Sequence, residues 1–517
     1  MRSDALFQHA IALQQSGDLE GAQKAYKRLL SKEPRHALAL CNLALLFLRI
    51  GDLEASDQMF ERAILFAPKN LDISTRYMRA VLEKSRYDKV PAIAEKILAV
   101  ESDNFSALFN AGLALACIAR HAEAEPYLRK ASALRPADTG AMLTLAKCLF
   151  TLGQYREEVL ALADRLAGTD PKDAETLGFL GTAYYSGGQV IKGVHFLTAA
   201  LSLGNDTDHL SNLGNAYLML GDLDAGITCL AHAAEREPTS LVLRSNLLFA
   251  LNYDQKLAAE EIYAEYRQFN ALIETIVPGQ FSHENRPARG DRRVRIGFSS
   301  PDFRHHAAMH FVEPLIHALD RERFETFAFY NNKAVDAVTE RLRGAFDHWR
   351  DIRDLSDKAF AEMVVGEGID ILIDLAGHSQ GNRLLAFALK PAPVQVSYLG
   401  YGYTTGLEAM DYFLGDETLA PIGCESLFSE AIHRLNGPIF CYAPPADAPE
   451  VSALPAVRNG YITFGSLSRV IRMNDEVLAT WAELLRRVPN SRLRLDQPLF
   501  GDAASRAVLR ISELSPP

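Results

Sequence analysis

Four short segments of this 517-residue chain concentrate side chains that could do chemistry. They are SSPDFRHHAAMH (299–310), GHSQGNR (377–383), GYGYTTG (400–406) and SLSRVIR (466–472). Their His, Ser, Thr, Gly and Arg residues can accept a proton, offer backbone N–H groups to a phosphate or neutralise a negative charge. By themselves the segments do not name a reaction.

Two familiar kinds of site are disfavoured by the spacing of these residues. His306 and His310 are four residues apart, but the HExxH pattern is absent and no third zinc ligand is evident. The glycines of GYGYTTG, beginning at Gly400, miss the GxGxxG spacing of a dinucleotide site by one residue. That turn, with Thr404 and Thr405, could still cradle an acceptor or a phosphate.

The elements that carry these segments alternate between strand and helix. From Val294, apolar runs such as VRIGFS, FETFAFY, DILIDLAG and VQVSYLG alternate with amphipathic helical stretches, which predicts a parallel, doubly wound sheet. A second unit of this kind starts near NGYITFGS. Sites in such sheets lie beyond the carboxyl ends of the strands, where all four segments fall. His378 follows a buried strand, so it either meets a substrate there or bonds to a neighbouring backbone carbonyl.

The first half of the chain repeats with a period of 34 residues. Multiples of 34 separate the members of three series, which are Gly17, Gly51, Gly153, Gly187 and Gly221; Pro34, Pro68, Pro136 and Pro238; and Ala63, Ala131, Ala199 and Ala233. Gly lets the chain turn between two helices, Ala lets the helices approach closely, and Pro ends the second helix. The pattern predicts a tetratricopeptide solenoid of seven repeats to about residue 242, least regular in the third repeat, around Ser85, and in the fifth.

A fourth series lies on the first helix of the repeats, the helix that lines the inner groove of such solenoids. Its members are Asn42, Asn110, Asn212 and Asn246. An amide offers both a donor and an acceptor, so these side chains could hold a peptide backbone of any sequence. The alternative is that they bond to a neighbouring helix.

Composition excludes several classes of function. The net charge of −11 argues against nucleic-acid binding, and the basic stretch from Arg286 to Arg295 is interpreted as a solvated linker. No apolar run is long enough to span a bilayer, and the first residues lack the features of a secretory signal. The six Cys contain no CxxC pair, which fits a reducing cytoplasm.

The repeats and the four segments together resemble the bacterial SPINDLY-like relatives of the protein O-linked N-acetylglucosamine transferases. The matching text is GFSSPDFRHHAAMHFVEPLI, GIDILIDLAGHSQGNRLLAFALKPAPVQVSYLGY, TTGLEAMDY, TFGS and RRVPNSRL. The resemblance runs from the repeats to about residue 495. It implies an α-solenoid followed by two Rossmann-like lobes in the GT-B arrangement. We divide the chain into repeats (1–250), capping helices and linker (251–290), a first lobe (291–455) and a partial second lobe (456–517).

The resemblance also implies an activity. Family members transfer a sugar from a UDP-sugar to Ser or Thr hydroxyls of proteins, with inversion and without a metal ion or other cofactor. The repeats recruit the acceptor protein, and some relatives form homodimers through them. The family's active-site His falls on His306, beside the acceptor hydroxyl and the donor. We assign substrate or donor binding to His310, His378, Gly400, Thr404, Thr405 and Arg472.

Three departures from the family pattern accompany the match. From Asn459, about 59 residues remain for the second lobe, where a complete lobe needs roughly 100 or more, so exposed apolar surface is expected there. The closing ISELSPP resembles nothing expected of the family. Arg472 stands where relatives have Lys, and GYGYTTG stands where they have GYPxTTG. Besides the enzyme, a catalytically inactive tetratricopeptide adaptor and a truncated gene product that only binds proteins therefore remain as alternatives.

Overall fold

The computed structural model describes residues 3–153, 155–284, 286, 289–444, 448–497 and 499. The chain divides into two compact units, Met1–Pro171 and Lys172–Pro517. In the described part of the chain, no helix combines the length and apolar character needed to cross a membrane.

The first unit is built from helices that pack as consecutive pairs. These are α1 (Ser3–Gln15), α2 (Leu19–Lys32), α3 (Ala37–Ile50), α4 (Leu53–Phe66), α5 (Leu71–Glu83), α6 (Val90–Leu98), α7 (Phe105–Cys117), α8 (His121–Leu134), α9 (Thr139–Leu152) and α10 (Arg156–Ala167). Several begin at a polar cap, as at Asp52 and Asp138, whose carboxylates accept a backbone N–H from the first turn.

The second unit opens with more helices of the same kind. These are α11 (Ala174–Ser186), α12 (Val190–Leu203), α13 (Thr207–Leu220), α14 (Leu223–Arg236), α15 (Leu241–Leu251) and α16 (Ala259–Ile276). The pairs α1/α2 to α13/α14 confirm the seven predicted repeats, and α15 and α16 follow them.

A left-handed residue recurs at the turn within each repeat. Gly17, Gly51, Gly153 and Gly221 have φ between 76° and 86°. Ser85 (φ 54°) and Ala119 (φ 60°) occupy the same position in the third and fourth repeats, although neither is Gly. Because a Cβ crowds the backbone in this conformation, these two turns carry a cost that a Gly turn avoids.

The sixth repeat corrects the predicted series by one residue. Gly187 has φ −77°, and its neighbour Gly188 (φ 82°) makes the left-handed turn instead. The following helix is displaced in the same direction, since Ala200 is 1% exposed while Ala199 is only half-buried. Adjacent glycines made the two positions indistinguishable in the sequence.

The third repeat is irregular, as predicted. Its second helix, α6, has only nine residues and follows a 3₁₀ turn, Tyr87–Lys89. The carboxylate of Asp57, on α4, forms ion pairs with Arg86 and Lys89 and thereby ties this shortened element to the preceding repeat. In the fifth repeat α10 has twelve residues, and Gln154 lies outside the described residues.

A seven-stranded parallel sheet follows, with strand order β3-β2-β1-β4-β5-β6-β7. The strands are β1 (Val294–Ser300), β2 (Phe324–Tyr330), β3 (His348–Asp351), β4 (Ile371–Asp374), β5 (Val394–Tyr398), β6 (Tyr412–Gly415) and β7 (Ala431–Arg434). The helices between them are α17 (Met309–Ala318), α18 (Ala337–Ala345), α19 (Asp357–Gly366) and α20 (Leu384–Ala388). The predicted doubly wound sheet is confirmed, and its order reverses between β1 and β4.

The two faces of this sheet bury different helices. On β2, Ala328 and Tyr330 belong to a core that contains residues of α17 and α18. The alternating residues Phe327 and Phe329 belong to a second core with α19 and α20, and with residues of α15 and α16. The last two helices of the helical region are therefore part of the lobe's own core.

The basic linker is only partly solvated, which corrects the prediction made for it: Arg289 is exposed, but other Arg side chains of the linker are half-buried in ion pairs. The guanidinium groups of Arg286 and Arg292 both pair with the Asp370 carboxylate, at 2.8 Å and 2.6 Å. Arg295 pairs with Glu325 at 3.0 Å. Periodicity identifies neither partner, because both carboxylates are brought to the linker by the sheet.

The described part of the second lobe contains a two-stranded parallel sheet, β8 (Thr463–Ser466) and β9 (Arg492–Leu495), and the helices α21 (Pro455–Asn459) and α22 (Asp475–Arg487). No residue is buried in the described part from 455 to 497, and Leu467 is 78% exposed. The expected exposed apolar surface is confirmed for this part. The closing ISELSPP lies outside the described residues.

Replacing Ala119 by Gly should stabilise the first unit by about 1 kcal/mol, because the left-handed turn then carries no Cβ. The midpoint of urea unfolding, followed by far-ultraviolet circular dichroism, measures the change.

Ala133→Gly is the matched control, since Ala133 is an exposed residue inside α8. There the added backbone freedom should destabilise the helix by about 1 kcal/mol. Equal shifts in both variants would contradict the explanation based on the turn.

Candidate functional site

The candidate site lies where the strand order reverses, beyond the carboxyl ends of β1 and β4. Two side chains from the loop after β2 hold the neighbouring loops together. The Asn332 amide donates to the carbonyl of Pro301, after β1, at 2.9 Å. The Asn331 amide donates to the carbonyl of Gly381, after β4, at 2.8 Å. The three loops therefore form one connected rim at the strand ends.

His306 lies on this rim, in the loop between β1 and α17, with 37% of its side chain exposed. Its Nδ1 atom accepts the Ala308 backbone N–H at 3.3 Å and lies 3.8 Å from Asp302 Oδ2. The first contact favours a proton on Nε2, whereas closer approach of Asp302 would favour a proton on Nδ1 and free Nε2 as a base. The imidazole is thus accessible, and its tautomer depends on a nearby carboxylate.

The loop that carries His306 is held at both ends. The Asp302 backbone N–H donates to Ser300 Oγ at 3.0 Å, just after β1. The His305 backbone N–H donates to Asp336 Oδ2 at 2.7 Å, and Asp336 also caps the first turn of α18. His310, on the first turn of α17, is exposed. Of the predicted residues, His306 and His310 are thus the ones presented on this loop.

His378 bonds to a neighbouring backbone carbonyl, which was the second of the two alternatives considered for it. It is 2% exposed, with Nε2 2.8 Å from the Thr405 carbonyl and Nδ1 2.9 Å from Ser245 Oγ on α15. Burial lowers its pKa to about 4, so the ring is neutral at pH 7. Both ring nitrogens are occupied, and no hydrogen bond or ion pair in the described residues joins His378 to His306.

Thr404 and Thr405 are fully buried and hold a carboxylate rather than facing solvent. Thr404 Oγ1 donates to Glu430 Oε2 at 2.5 Å, while the Thr405 N–H and Oγ1 donate to Oε1 at 2.7 Å and 2.5 Å. Burial raises the pKa of Glu430, and the three donors offset part of that effect. Since Thr405 also contacts His378, two of the predicted segments meet here, in the interior.

Gly400 is required by a close approach of two backbone segments. A Cβ at this position would lie 1.7 Å from the Leu375 carbonyl oxygen, which no other residue could tolerate. Next to it, the hydroxyl of Tyr401 lies 2.6 Å from that of Tyr266 on α16, and Asn252 donates to both. The GYGYTTG turn thus joins the sheet to the end of the helical region.

Two buried acidic residues, Asp374 and Glu430, were not predicted from the sequence. Asp374, at the end of β4, is 1% exposed and accepts the backbone N–H groups of Ala376 and Gly377. Burial raises its pKa to about 6. Because Asp374 stands inside the apolar run ILIDLA, its burial could have been predicted from the sequence. Nothing near Glu430 in the sequence indicated the burial of that residue or its hydrogen-bond partners.

Arg472 lies apart from the rim, in a 3₁₀ turn, Val470–Arg472, that follows β8, and it is exposed. Its role on a donor phosphate remains a prediction.

The four Asn residues are half-buried, and three of them bond to another helix, the alternative considered for this series. Their amides donate as follows: Asn42 to Tyr26 Oη at 3.0 Å, Asn212 to Thr182 Oγ1 at 3.0 Å, and Asn246 to Ser211 Oγ at 3.2 Å. Asn110 differs, since its amide donates to Ser106 Oγ on its own helix at 3.2 Å. Peptide binding by the series stays a prediction.

Comparison with known proteins gives matches in both halves of the chain. The family described as glycosyl transferase family 41 matches residues 235–441, and tetratricopeptide repeat families match 7–70 and 119–175. The probable UDP-N-acetylglucosamine–peptide N-acetylglucosaminyltransferase SPINDLY of Oryza sativa is 35% identical over 262 residues, 50% of this chain and 28% of that protein. The Arabidopsis thaliana protein SEC, of the same described type, is 32% identical over 40% of this chain and 22% of its own length.

A solved structure extends the similarity to the fold. A mutant of the Thermobaculum terrenum O-GlcNAc transferase matches with a TM-score of 0.66 and 32% sequence identity, covering 72% of each chain. The matched part of this chain spans less than a third of the length of the plant relatives.

The two buried titratable groups near β4 should give opposite pH dependences. The folded-state pKa of His378 is lowered, so the unfolded chain binds more protons than the native state between pH 6.5 and 4. As the pH falls through this range, His378 should therefore lower the free energy of unfolding by about 3 kcal/mol. The folded-state pKa of Asp374 is raised, so the native state binds more protons between pH 6 and 3.8, and acidification should favour folding by about 3 kcal/mol.

Relative to wild type, His378→Asn should therefore gain stability as the pH falls from 7 to 4, and Asp374→Asn should lose it. Urea unfolding at each pH, followed by the fluorescence of Trp349 on β3 in a Trp481→Phe background, measures both. Parallel pH profiles for the two variants would refute these assignments.

Proposed function

The chain belongs to the SPINDLY-like and O-GlcNAc transferase family of glycosyltransferases, and we propose that it transfers N-acetylglucosamine from UDP-N-acetylglucosamine to Ser or Thr hydroxyls of proteins. The supporting observation is the position of His306. It is a partly exposed imidazole on the rim where the order of the parallel strands reverses, and its loop is fixed by Ser300 and Asp336. Such a position suits a group that must meet two substrates at once.

In the proposed step, the acceptor oxygen attacks the anomeric carbon from the face opposite the diphosphate. The new carbon–oxygen bond forms as the bond from the anomeric carbon to the phosphate oxygen breaks, and the electron pair leaves with UDP. His306 Nε2 takes the hydroxyl proton, because a neutral hydroxyl is a poor nucleophile. This requires Asp302, now 3.8 Å from Nδ1, to move closer and replace the Ala308 N–H contact, so that the proton sits on Nδ1 and Nε2 is free.

The leaving diphosphate needs positive charge close to it. Arg472 supplies this charge in the proposed site, since its guanidinium is exposed and can bind two phosphate oxygens at once. The proposed reaction uses this side chain and backbone N–H groups in place of a metal ion.

The repeats hold the acceptor protein in this proposal. Asn110 is the best placed of the four Asn residues to act on a peptide, because its amide makes no bond to another helix in the described residues. The other three stabilise contacts between helices as well.

A second candidate is a non-catalytic adaptor that binds proteins through its repeats. The observation that favours it is the second lobe, where no residue is buried between 455 and 497 in the described part. Donor binding separates the two candidates.

His306→Ala should lower the transfer rate about 100-fold to 10,000-fold while leaving the affinity for UDP within about twofold. Arg472→Ala should weaken UDP binding about tenfold to 100-fold, because it removes charge-assisted hydrogen bonds, and Arg472→Lys should retain part of the affinity. Calorimetry with UDP and incorporation of labelled sugar into acceptor protein measure the two effects.

Arg487→Ala is the matched control, because Arg487 is an exposed Arg of the same lobe, on α22. A well-folded wild-type protein that binds neither UDP nor UDP-N-acetylglucosamine would contradict the enzyme and leave the adaptor.

Asn110→Ala should weaken the binding of a labelled Ser- and Thr-rich peptide about fivefold, the equivalent of about one hydrogen bond, without changing the unfolding midpoint. Asn42→Ala should lower the stability of the first unit by about 1 kcal/mol, because it removes the bond to Tyr26. Fluorescence anisotropy and urea unfolding distinguish the two effects, and unchanged peptide affinity in Asn110→Ala would rule out its groove role.

A further inference from the structure

The turn of the seventh repeat differs from the equivalent turns in what surrounds it. A Cβ added to Gly17, Gly51 or Gly153 would meet no other atom within 4 Å. A Cβ added to Gly221 would lie 2.7 Å from Val470 Cγ1 and 3.5 Å from the Val470 carbonyl oxygen. At this one of the four turns, a segment of the second lobe lies directly against the backbone.

The next residue of that segment reaches the repeat core. Ile471 is half-buried and packs against an apolar cluster formed by α13, α14 and α15, which includes Leu218, Leu247 and Leu251. In the described residues from 455 to 497 no side chain is fully buried. Val470 and Ile471 therefore provide an anchor for this stretch that its own two-stranded sheet does not provide.

Arg472 is held by the same short turn. The Arg472 N–H donates to the Arg469 carbonyl at 3.0 Å, and the Met473 N–H donates to the Val470 carbonyl at 2.8 Å. Because three residues of a 3₁₀ turn share one rigid geometry, fixing Val470 and Ile471 also fixes the direction from which the Arg472 side chain leaves the backbone.

We propose that the Gly221 turn of the seventh repeat is the seat that positions Arg472 for the diphosphate of the sugar donor. Gly221, Val470 and Ile471 are positioning residues, while Arg472 makes the contact with phosphate. This role rests on the proposed function, which places a nucleoside diphosphate at Arg472. It goes beyond that function because the repeat region, which is proposed to bind the acceptor protein, would also hold Arg472 in position for the sugar donor.

Residue 221 must be Gly for two reasons that can be tested separately, its left-handed backbone conformation and its close contact with Val470. Gly51 and Gly221 have φ values of 86° and 82°, so Ala imposes the same backbone strain at both. Only at residue 221 does the new methyl group also collide with Val470. Gly51→Ala is therefore a matched control for Gly221→Ala.

The test compares wild type, Gly51→Ala, Gly221→Ala and the double variant Gly221→Ala with Val470→Ala, which removes the colliding Cγ1 atom. Calorimetry with UDP should show affinity weakened about fivefold or more in Gly221→Ala, within about twofold of wild type in Gly51→Ala, and partly restored in the double variant. Hydrogen exchange of residues 467–473 should speed up in Gly221→Ala and remain unchanged in Gly51→Ala.

The outcomes distinguish this inference from the function on which it rests. If wild type binds UDP and Arg472→Ala weakens that binding about tenfold or more, but Gly221→Ala binds as well as Gly51→Ala, the positioning role is overturned and the donor site stands. An affinity partly restored in the double variant supports the collision with Val470 as the cause of the loss in Gly221→Ala. If wild-type protein does not bind UDP, the donor site and the positioning role fall together.

Discussion

A parallel sheet must be covered on both faces, and this requirement organises the second unit of the chain. One face of the seven-stranded sheet is covered by α17 and α18. The other is covered by α19 and α20 together with Leu248 of α15 and Tyr266, Phe269 and Ile273 of α16. The helices that end the repeat region are thus a structural layer of the lobe. Without them, the aromatic side chains of β2 would lose part of their cover.

The same interface explains why the most distinctive sequence segments turned out to be interior features. GHSQGNR and GYGYTTG meet beneath the rim, where His378 bonds to Thr405 and to Ser245 of α15. The Tyr401 hydroxyl reaches Tyr266 of α16. A buried polar group must find a partner, and each of these contacts satisfies one while joining the sheet to the helices. His306, on the rim above them, remains partly exposed.

Periodicity was sufficient to predict the fold, because repeats and alternating strands leave their spacing in the sequence. The 34-residue period predicted the helix pairs, and failed by one residue only where Gly187 and Gly188 are adjacent. Contacts between distant residues leave no such trace. The pairing of Arg286 with Asp370 and of Thr404 with Glu430 depends on how the sheet brings them together, so it could not be read from spacing. The contact between Gly221 and Val470 could not be predicted for the same reason. In the sequence, Gly221 has the same spacing as the other turn glycines, and only the fold brings Val470 next to it.

The boundary between the compact units falls at residues 171 and 172, inside the run of repeats. Before it, the repeats bury cores of their own, and after it α15 and α16 cannot be removed without uncovering one face of the sheet. A repeat that is gained or lost by gene duplication or deletion in the first unit changes those cores and not the cover of the sheet. Over evolution, the number of such repeats is free to vary, while α15 and α16 are inherited with the lobe whose sheet they cover.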